Sequence, residues 1–271
     1  MEIAAAFLFG LLIGSFLNVC IYRMPRDISV VSPRSHCPEC EKTITWSDNI
    51  PLLSFLLLRG KCRHCGARIP WRYPAVEFLT GLVFALAVAQ FGLTAPAGKF
   101  AMLGAILITL VFSDLETRIL PEEFTLGGAV AGVIFSWFVP LTPGLAFFLV
   151  PDHENRRLLS LAESLLGVAV CAGVLWVTAW FYARVRHREG LGLGDVSMIA
   201  MIGAFLGLQG ALLTLIVGSI LGAVVGLVVI YATGKDASTY ELPFGTFLGA
   251  AAAAVAVWGE AVVRWSAKAG F

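Results

Sequence analysis

Eight long apolar stretches dominate this 271-residue sequence and constrain what it can fold into. Hydrocarbon offers no hydrogen-bond partner to a backbone, so such stretches cross a bilayer as α-helices of about 17–25 residues. The third and sixth are shorter and can span only with the polar residues at their ends. We therefore predict an all-α polytopic membrane protein with about eight transmembrane helices. The stretches are Ile3–Tyr22, Ala75–Phe91, Phe100–Phe112, Phe124–Leu141, Leu158–Tyr182, Val196–Leu208, Ala211–Tyr231 and Phe244–Val263.

The composition supports a membrane protein over a soluble domain. Hydrophobic residues make up 58% of the chain and charged residues only 14%, whereas soluble domains carry about 25% charged residues. No small-residue cleavage site follows Ile3–Tyr22. We therefore interpret that stretch as a retained span rather than a signal peptide that is removed.

The distribution of basic residues predicts the orientation. Loops on the side of segment 24–73 hold fourteen Lys and Arg residues, and loops on the opposite side hold five. Because cytoplasmic loops are enriched in Lys and Arg, we expect segment 24–73 in the cytoplasm and both chain ends on the outer side. Pro140–Arg157, also on the outer side, is interpreted as a solvated connector.

Segment 24–73 is the only sizeable soluble piece, and it contains two C-x-x-C pairs. Cys37 and Cys40 form the first pair, Cys62 and Cys65 the second, with 21 residues between the pairs. This spacing predicts a tetrahedral four-thiolate zinc site. Disulfides are the weaker interpretation in a reducing cytoplasm, and a redox pair or an iron–sulfur site remains an alternative. Four thiolates leave no open coordination position, so the zinc would be structural.

Two aspartates lie where apolar stretches meet the predicted cytoplasmic side. Asp114 ends the third stretch, and Asp195 precedes the sixth as the last residue of G-L-G-L-G-D (190–195). A carboxylate near hydrocarbon is costly unless it is paired or functional, and Gly192 and Gly194 leave room for another backbone. Each acid alone could cap a helix. Together they favour a carboxylate pair that shares a proton and acts in catalysis.

Two non-enzymatic functions are alternatives. A transporter could bind a proton or cation at both aspartates, but transporters place such groups at midplane helix breaks, and these two lie toward one face. A membrane adaptor could use the cysteine loop to recruit a partner, which would leave the paired aspartates without a purpose. Both alternatives therefore rank below catalysis.

Two further polar residues lie inside predicted helices. Asn18 is expected to bond a neighbouring helix or a ligand. Glu77 is one turn inside the second span, where a carboxylate is costly. It is a candidate for the active-site or cofactor region, and a salt bridge to an interfacial arginine explains it about as well.

Seven motifs give a specific resemblance. They are GSFLNVCIYRMP (14–25), the double C-x-x-C, DNIPLLSFLLLRG (48–60), RYPAVE (72–77), DLETRILPE (114–122), GLGLGD (190–195) and PFGTF (243–247). Over essentially its whole length the chain resembles the bacterial type IV prepilin peptidases, which are GxGD-type aspartic membrane proteases. The family's two catalytic aspartates fall on Asp114 and Asp195.

The resemblance implies two activities in a bacterial inner membrane. The first is removal of the basic leader from type IV prepilins, or from pseudopilins of type II secretion. The second is methylation of the new N-terminus with S-adenosylmethionine, whose binding residues the sequence does not locate. Membrane lipid is the expected surrounding and nucleic acid is not an expected partner. The implied organisation is a first transmembrane helix (1–23), a zinc-binding loop (24–73) and a seven-helix peptidase domain (74–271).

Three positions depart from the family pattern. Ser197 stands where members commonly carry a lysine, Glu122 where they often have aspartate, and Thr246 where they often have a second proline. The missing lysine bears on substrate positioning or on the tuning of Asp195. Both candidate carboxylates are retained.

Overall fold

The computed structural model describes residues 1–152, 154–186, 192–233 and 242–269, with backbone alone for 233 and 260–269. Four residues used in the predictions above lie outside these ranges. They are Gly190 and Leu191 of the GLGLGD motif, and Arg188 and Lys235, which were counted among the fourteen basic residues. The described residues form nine α-helices, two short 3-10 turns and no β-strand. The helices are α1 (Glu2–Arg23), α2 (Leu53–Leu57), α3 (Arg72–Phe91), α4 (Ala95–Thr117), α5 (Glu122–Phe138), α6 (Ala146–Leu149), α7 (Arg156–Arg186), α8 (Leu193–Thr233) and α9 (Phe244–Ala269).

The all-α, multi-pass architecture predicted from the sequence is confirmed. Five of the described helices, α1, α3, α4, α7 and α8, are long and apolar enough to cross a membrane. The third apolar stretch, Phe100–Phe112, is extended by the polar residues at both of its ends, as expected, and forms the 23-residue α4. The sixth and seventh stretches lie in one element, α8, interrupted at Gly207 (φ 74°). The number of eight spans stays a prediction.

The chain divides into two compact units, Met1–Ser113 and Asp114–Phe271. In the first unit, α1 packs against α3 through small residues. A methyl group on Gly10 would lie 2.7 Å from the Cα atom of Gly81, and one on Gly14 would lie 2.7 Å from the Cα atom of Glu77. Only glycine permits this approach, which brings the polar positions of the two helices into contact.

In the second unit, the first half of α8 is the central element. Met198, Ile199, Met201, Ile202 and Phe205 are fully buried, and α5, α7 and α9 all pack against α8. Beyond Gly207 the same helix is far more exposed. The N-terminal turn of α8, which carries Asp195, is therefore held by the best-packed part of this unit.

The connector 140–157 is less solvated than the sequence suggested. The Glu163 Oε2 atom accepts hydrogen bonds from the backbone N–H groups of Gly144 and Ala146, each at 3.1 Å. Ala146 is fully buried, and the Leu141 N–H donates to Ser160 Oγ at 2.9 Å. Side chains of α7 thus fix the first half of the connector, because they satisfy its free N–H groups.

The crossing of α7 and α8 should tolerate no side chain at its centre. A methyl group on Gly167 would lie 2.6 Å from the backbone oxygen of Gly203, and a backbone atom cannot move aside. We expect Gly167→Val to lower the free energy of unfolding by about 1–3 kcal/mol or more. The check is thermal unfolding of the detergent-purified protein. Gly173→Val on the same helix is the control, since nothing lies within 4 Å of a methyl group there. Equal unfolding temperatures for the two variants would contradict the packing argument.

Candidate active site and metal centre

Asp114 is buried near the C-terminal end of α4, with only 6% of its surface exposed. The helix dipole disfavours a carboxylate at that end, so a partner must come from elsewhere. Its Oδ2 atom accepts hydrogen bonds from the backbone N–H of Thr246 at 2.6 Å and from the Thr246 hydroxyl at 2.8 Å. Thr246 is the third residue of α9, where a helix has free N–H groups. Sequence reasoning noted Thr246 only as a departure and missed this role.

Leu120, in the segment after α4, contacts the starts of both α8 and α9 around the candidate site. A methyl group on Gly194 would lie 3.2 Å from the Cβ atom of Leu120. One on Gly245 would lie 3.1 Å from Leu120 Cδ1 and 3.2 Å from the Cγ atom of Asp114. These glycines therefore let the start of α8, the start of α9 and the segment after α4 meet around one buried leucine.

Asp195 is the third residue of α8, in its first turn. Its backbone N–H donates to the Gly192 carbonyl at 3.2 Å, and its side chain is half-buried. The hydroxyl of Ser197 donates to the Gly194 carbonyl at 2.9 Å, so this serine serves the local turn. The first two residues of the G-L-G-L-G-D motif lie outside the described residues.

The structure brings the two predicted aspartates into one electrostatic environment. Gly194, next to Asp195, and Gly245, against Asp114, both approach Leu120, and the Asp114 carboxylate is close enough to act on the charge of Asp195. Like charges at short range favour a pair that holds a single proton. The two hydrogen bonds that Asp114 Oδ2 accepts from Thr246 fix the orientation of the Asp114 carboxylate. The arrangement can bind a water molecule or a polarised carbonyl between a base and an acid.

The four cysteines of the predicted metal site come together. Their Sγ atoms all lie within 4.8 Å of one another, and Cys37 Sγ is 3.8 Å from Cys65 Sγ. Zinc–sulfur bonds of about 2.3 Å in a tetrahedron place the sulfur atoms about 3.8 Å apart. The donor set and its spacing therefore fit a structural zinc ion with four thiolate ligands.

The two C-x-x-C turns have the same backbone design. The N–H of Cys37 donates to the Lys42 carbonyl at 3.0 Å, and that of Cys62 to the Ala67 carbonyl at 2.8 Å. Positive φ angles at Glu41 (57°) and Gly66 (73°) close the turns. Such turns point N–H groups at sulfur: those of Cys65 and His64 lower the pKa of the Cys62 thiol to about 7, whereas burial and the neighbouring thiols raise the pKa of Cys65. A lower thiol pKa favours the thiolate that binds metal.

An ion pair connects the second turn to the rest of the loop. Arg63, between Cys62 and Cys65, donates to both oxygens of Asp48 at 2.6–3.1 Å. Hydrogen bonds from this guanidinium hold the pKa of the Asp48 carboxyl below its usual range. A bidentate pair fixes orientation as well as charge. The turn at 46–49 is therefore positioned by the metal-binding segment.

Asn18 and Glu77 are both buried in the first unit, as their place in helices predicted. The Asn18 Nδ2 atom donates to the backbone oxygen of Tyr73 at 3.0 Å, which is the helix–helix bond anticipated. Glu77 Oε2 accepts the backbone N–H of Leu52 at 2.8 Å. The sequence suggested an arginine or a ligand for Glu77 and did not anticipate the loop backbone.

Two family models match this chain in succession. The family described as "Bacterial Peptidase A24 N-terminal domain" matches residues 8–91, and the "Type IV leader peptidase family" matches residues 101–227. A protein of Aeromonas hydrophila is 35% identical over 96% of this chain and 91% of its own length. The chain belongs to the type IV leader peptidase family.

Other relatives of the family carry the same name as the Aeromonas protein, "Prepilin leader peptidase/N-methyltransferase". One from Pseudomonas aeruginosa is 31% identical over 95% of this chain and 90% of its own length. One from Myxococcus xanthus is 42% identical over 85% of this chain, and the match spans 64% of that longer protein. No solved structure matches the chain significantly. The family resemblance read from the motifs is confirmed.

The hydroxyl of Thr246 should matter for activity. Thr246→Val keeps the N–H donated to Asp114 and removes the O–H. A hydrogen bond to a charged group contributes about 1.5–3 kcal/mol, so we expect kcat for leader cleavage to fall about tenfold. Thr246→Ser keeps both donors and should cleave at close to the wild-type rate. Equal rates for the valine and serine variants in a leader-peptide assay would show that the hydroxyl does not orient Asp114.

Metal content tests the four-cysteine site. We expect about one zinc per purified chain by elemental analysis. Cys37→Ser should lower this content and make residues 24–73 sensitive to added protease, because structural zinc supplies roughly 10 kcal/mol or more of folding free energy. Cys171→Ser is the control, since Cys171 is a buried residue of α7. Metal-free protein with a protease-resistant loop would contradict the assignment.

Proposed function

We propose that this chain is a membrane aspartic endopeptidase that removes the basic leader from type IV prepilins and pseudopilins, with Asp114 and Asp195 as its catalytic residues. The observation that supports this most directly is that Asp114 and the first turn of α8, which carries Asp195, meet around Leu120 in a member of a leader peptidase family. Three relatives are named for the same reaction and for N-methylation. Methylation of the new N-terminus is the second activity of this proposal.

The proposed cleavage uses the pair as base and acid. An ionised aspartate removes a proton from water, and the water oxygen attacks the scissile carbonyl carbon. The protonated aspartate hydrogen-bonds the carbonyl oxygen, and its proton passes to the leaving amine as the C–N bond breaks. Water thus supplies one proton to the base while the acid gives one up, so the pair ends with one proton, as it began. Thr246 would hold Asp114 in place through both halves of the reaction.

The substrate chemistry follows from the placement of charge. This is a multi-pass inner-membrane protein by its helices and family. We propose that its 24–73 loop and both aspartates are on the cytoplasmic side, where the loops are rich in Lys and Arg. A substrate with a basic cytoplasmic leader, followed by an apolar helix in the bilayer, would then place its junction at the level of the two aspartates. Prepilins and pseudopilins have that organisation by the family resemblance.

In this proposal, methylation requires S-adenosylmethionine as methyl donor and segment 24–73 folded around a metal ion. S-adenosylmethionine, when bound, would supply an electrophilic methyl group. The C–N bond would form as the S–CH3 bond breaks, S-adenosylhomocysteine would leave, and the new N-terminal amine would lose a proton. Cys37, Cys40, Cys62 and Cys65 would hold a structural zinc that organises segment 24–73. Four thiolates would complete the coordination of this zinc, so it would take no part in cleavage or transfer.

The transporter alternative has no support from the family or from the site. Asp114 lies in the last turn of α4 and Asp195 in the first turn of α8. Transport sites use groups at breaks near the midplane. Two acids at helix ends fit a reaction at the membrane surface better than a path through the membrane.

Removing either carboxylate should abolish leader cleavage. Asp114→Asn and Asp195→Asn preserve size but cannot act as base or proton donor, and general acid–base groups contribute about 10²–10⁴-fold. We expect at least that loss in a prepilin cleavage assay read by mass spectrometry of the N-terminus. Asp152→Asn, an exposed aspartate of the connector, should cleave normally. Near-normal turnover by either active-site variant, at normal membrane insertion, would refute the proposed pair.

A further inference from the structure

A second buried polar cluster lies in the first unit, where α1 and α3 are closest. Gly14 packs directly against the backbone of Glu77, since a methyl group on Gly14 would lie 2.7 Å from the Cα atom of Glu77. One turn further along α1 and one turn earlier on α3, Asn18 meets the backbone oxygen of Tyr73. Ser15 also interacts with the Glu77 carboxylate. Asn18 is 2% exposed and Glu77 is 8% exposed, so both polar groups are held out of solvent.

One oxygen of this cluster has no hydrogen-bond partner among the described residues. The Tyr73 carbonyl can only accept, so the nitrogen of the Asn18 amide must face it and the assignment of the two amide atoms is fixed. The Asn18 Oδ1 atom is then buried and accepts no hydrogen bond from the described residues. A buried acceptor with no donor is destabilising, and a bound ligand that donates a hydrogen bond would satisfy it.

The cytoplasmic loop contributes a strained backbone to the same cluster. Leu52 adopts φ 59° and ψ −47° directly before α2, a conformation that a side chain other than glycine rarely takes. In this conformation its N–H reaches the Glu77 carboxylate. Strained backbone persists where the surroundings require it, which is common at ligand sites.

Hydrogen bonds connect this loop to the metal-binding turns. The N–H of Ile50 donates to the Ser54 hydroxyl at 2.9 Å, and that hydroxyl donates to the Ser47 carbonyl at 3.0 Å. The neighbouring Asp48 is the ion-pair partner of Arg63, inside the second C-x-x-C turn. The metal-binding turns therefore hold Leu52 over Glu77.

The hydrogen-bond acceptors of this cluster, the Glu77 carboxylate and the Asn18 amide oxygen, indicate the chemical class of its ligand. A carboxylate with accepting capacity beyond its two partners and a bare amide oxygen suit a cationic group that donates hydrogen bonds. We propose that Glu77 and Asn18 bind an alkylammonium group of the methyl-transfer reaction. Two sources share this chemistry: the amino-acid end of S-adenosylmethionine and the new α-amine of the processed pilin. This proposal rests on the proposed function, since methylation brings both groups to the enzyme.

The test is equilibrium binding to the full-length protein in detergent, by calorimetry. S-adenosylhomocysteine, which keeps the ammonium group of the donor, is one probe, and a processed pilin N-terminal peptide is the other. Glu77→Gln and Asn18→Leu should weaken binding of one probe by about tenfold to a hundredfold, as expected when a hydrogen bond to a charged group is lost. If the variants bind S-adenosylhomocysteine more weakly, the site holds the methyl donor. If they bind the peptide more weakly, the site holds the pilin amine.

Controls separate binding from folding and from cleavage. Glu77→Asp should recover part of the affinity because it keeps the charge. Glu2→Gln, at the exposed start of α1, should bind both probes like wild type. Glu2→Gln should also cleave leaders at the wild-type rate, which shows that the purified enzyme used for binding is active.

Three results would overturn this site. The first is unchanged affinity for both probes in both variants. The second is equal loss in Glu77→Asp and Glu77→Gln together with a lower unfolding temperature, which would show a structural role. The third is a wild-type enzyme that cleaves leaders but binds neither probe. A wild-type protein that cleaves no leader would instead refute the proposed function.

Discussion

Among the described residues, three buried carboxylates each accept hydrogen bonds from backbone N–H groups at or just before a helix start. Asp114 accepts from Thr246 in the first turn of α9, Glu163 from the first residue of α6, and Glu77 from Leu52 just before α2. A helix start has free N–H groups and a partial positive charge. In a buried site no water replaces a missing hydrogen-bond partner. Each carboxylate therefore helps to fix the position of the helix start or loop that donates to it. The clusters around Asp114 and around Glu77 both depend on such a contact.

Much of this arrangement could be predicted from the sequence, and the missing part has a common cause. Hydrophobic stretches, cysteine spacing and the positions of Asp114 and Asp195 are local patterns. The partners of the carboxylates are not local, since Thr246 is 132 residues from Asp114. Backbone donors have no residue signature, so the sequence suggested a cofactor region or an arginine for Glu77 and a solvated connector beside Glu163. Only the packing of helices shows which N–H groups are free and near.

The departures from the family pattern now have physical meaning at two positions. A proline at 246 would have no N–H and no hydroxyl, so a family member with proline there must hold its first aspartate by other donors. Ser197 bonds the Gly194 carbonyl and brings no charge to Asp195. This chain therefore adjusts its two aspartates through neutral groups. Glu122 is exposed at the start of α5, and nothing in the structure explains that substitution.

With a metal bound, the four-cysteine turns would act on the first unit through geometry rather than chemistry. A closed four-thiolate site neither binds nor activates a substrate. Its folding free energy, roughly 10 kcal/mol, is large compared with the strain of a residue such as Leu52, about 1–3 kcal/mol. The Arg63–Asp48 pair and the Ser54 bonds transmit that constraint to the loop. Metal binding can thus hold the Leu52 N–H on Glu77, which a free loop of this length would release. A soluble loop on a membrane enzyme would then have a defined role, because it fixes a strained backbone over a buried carboxylate.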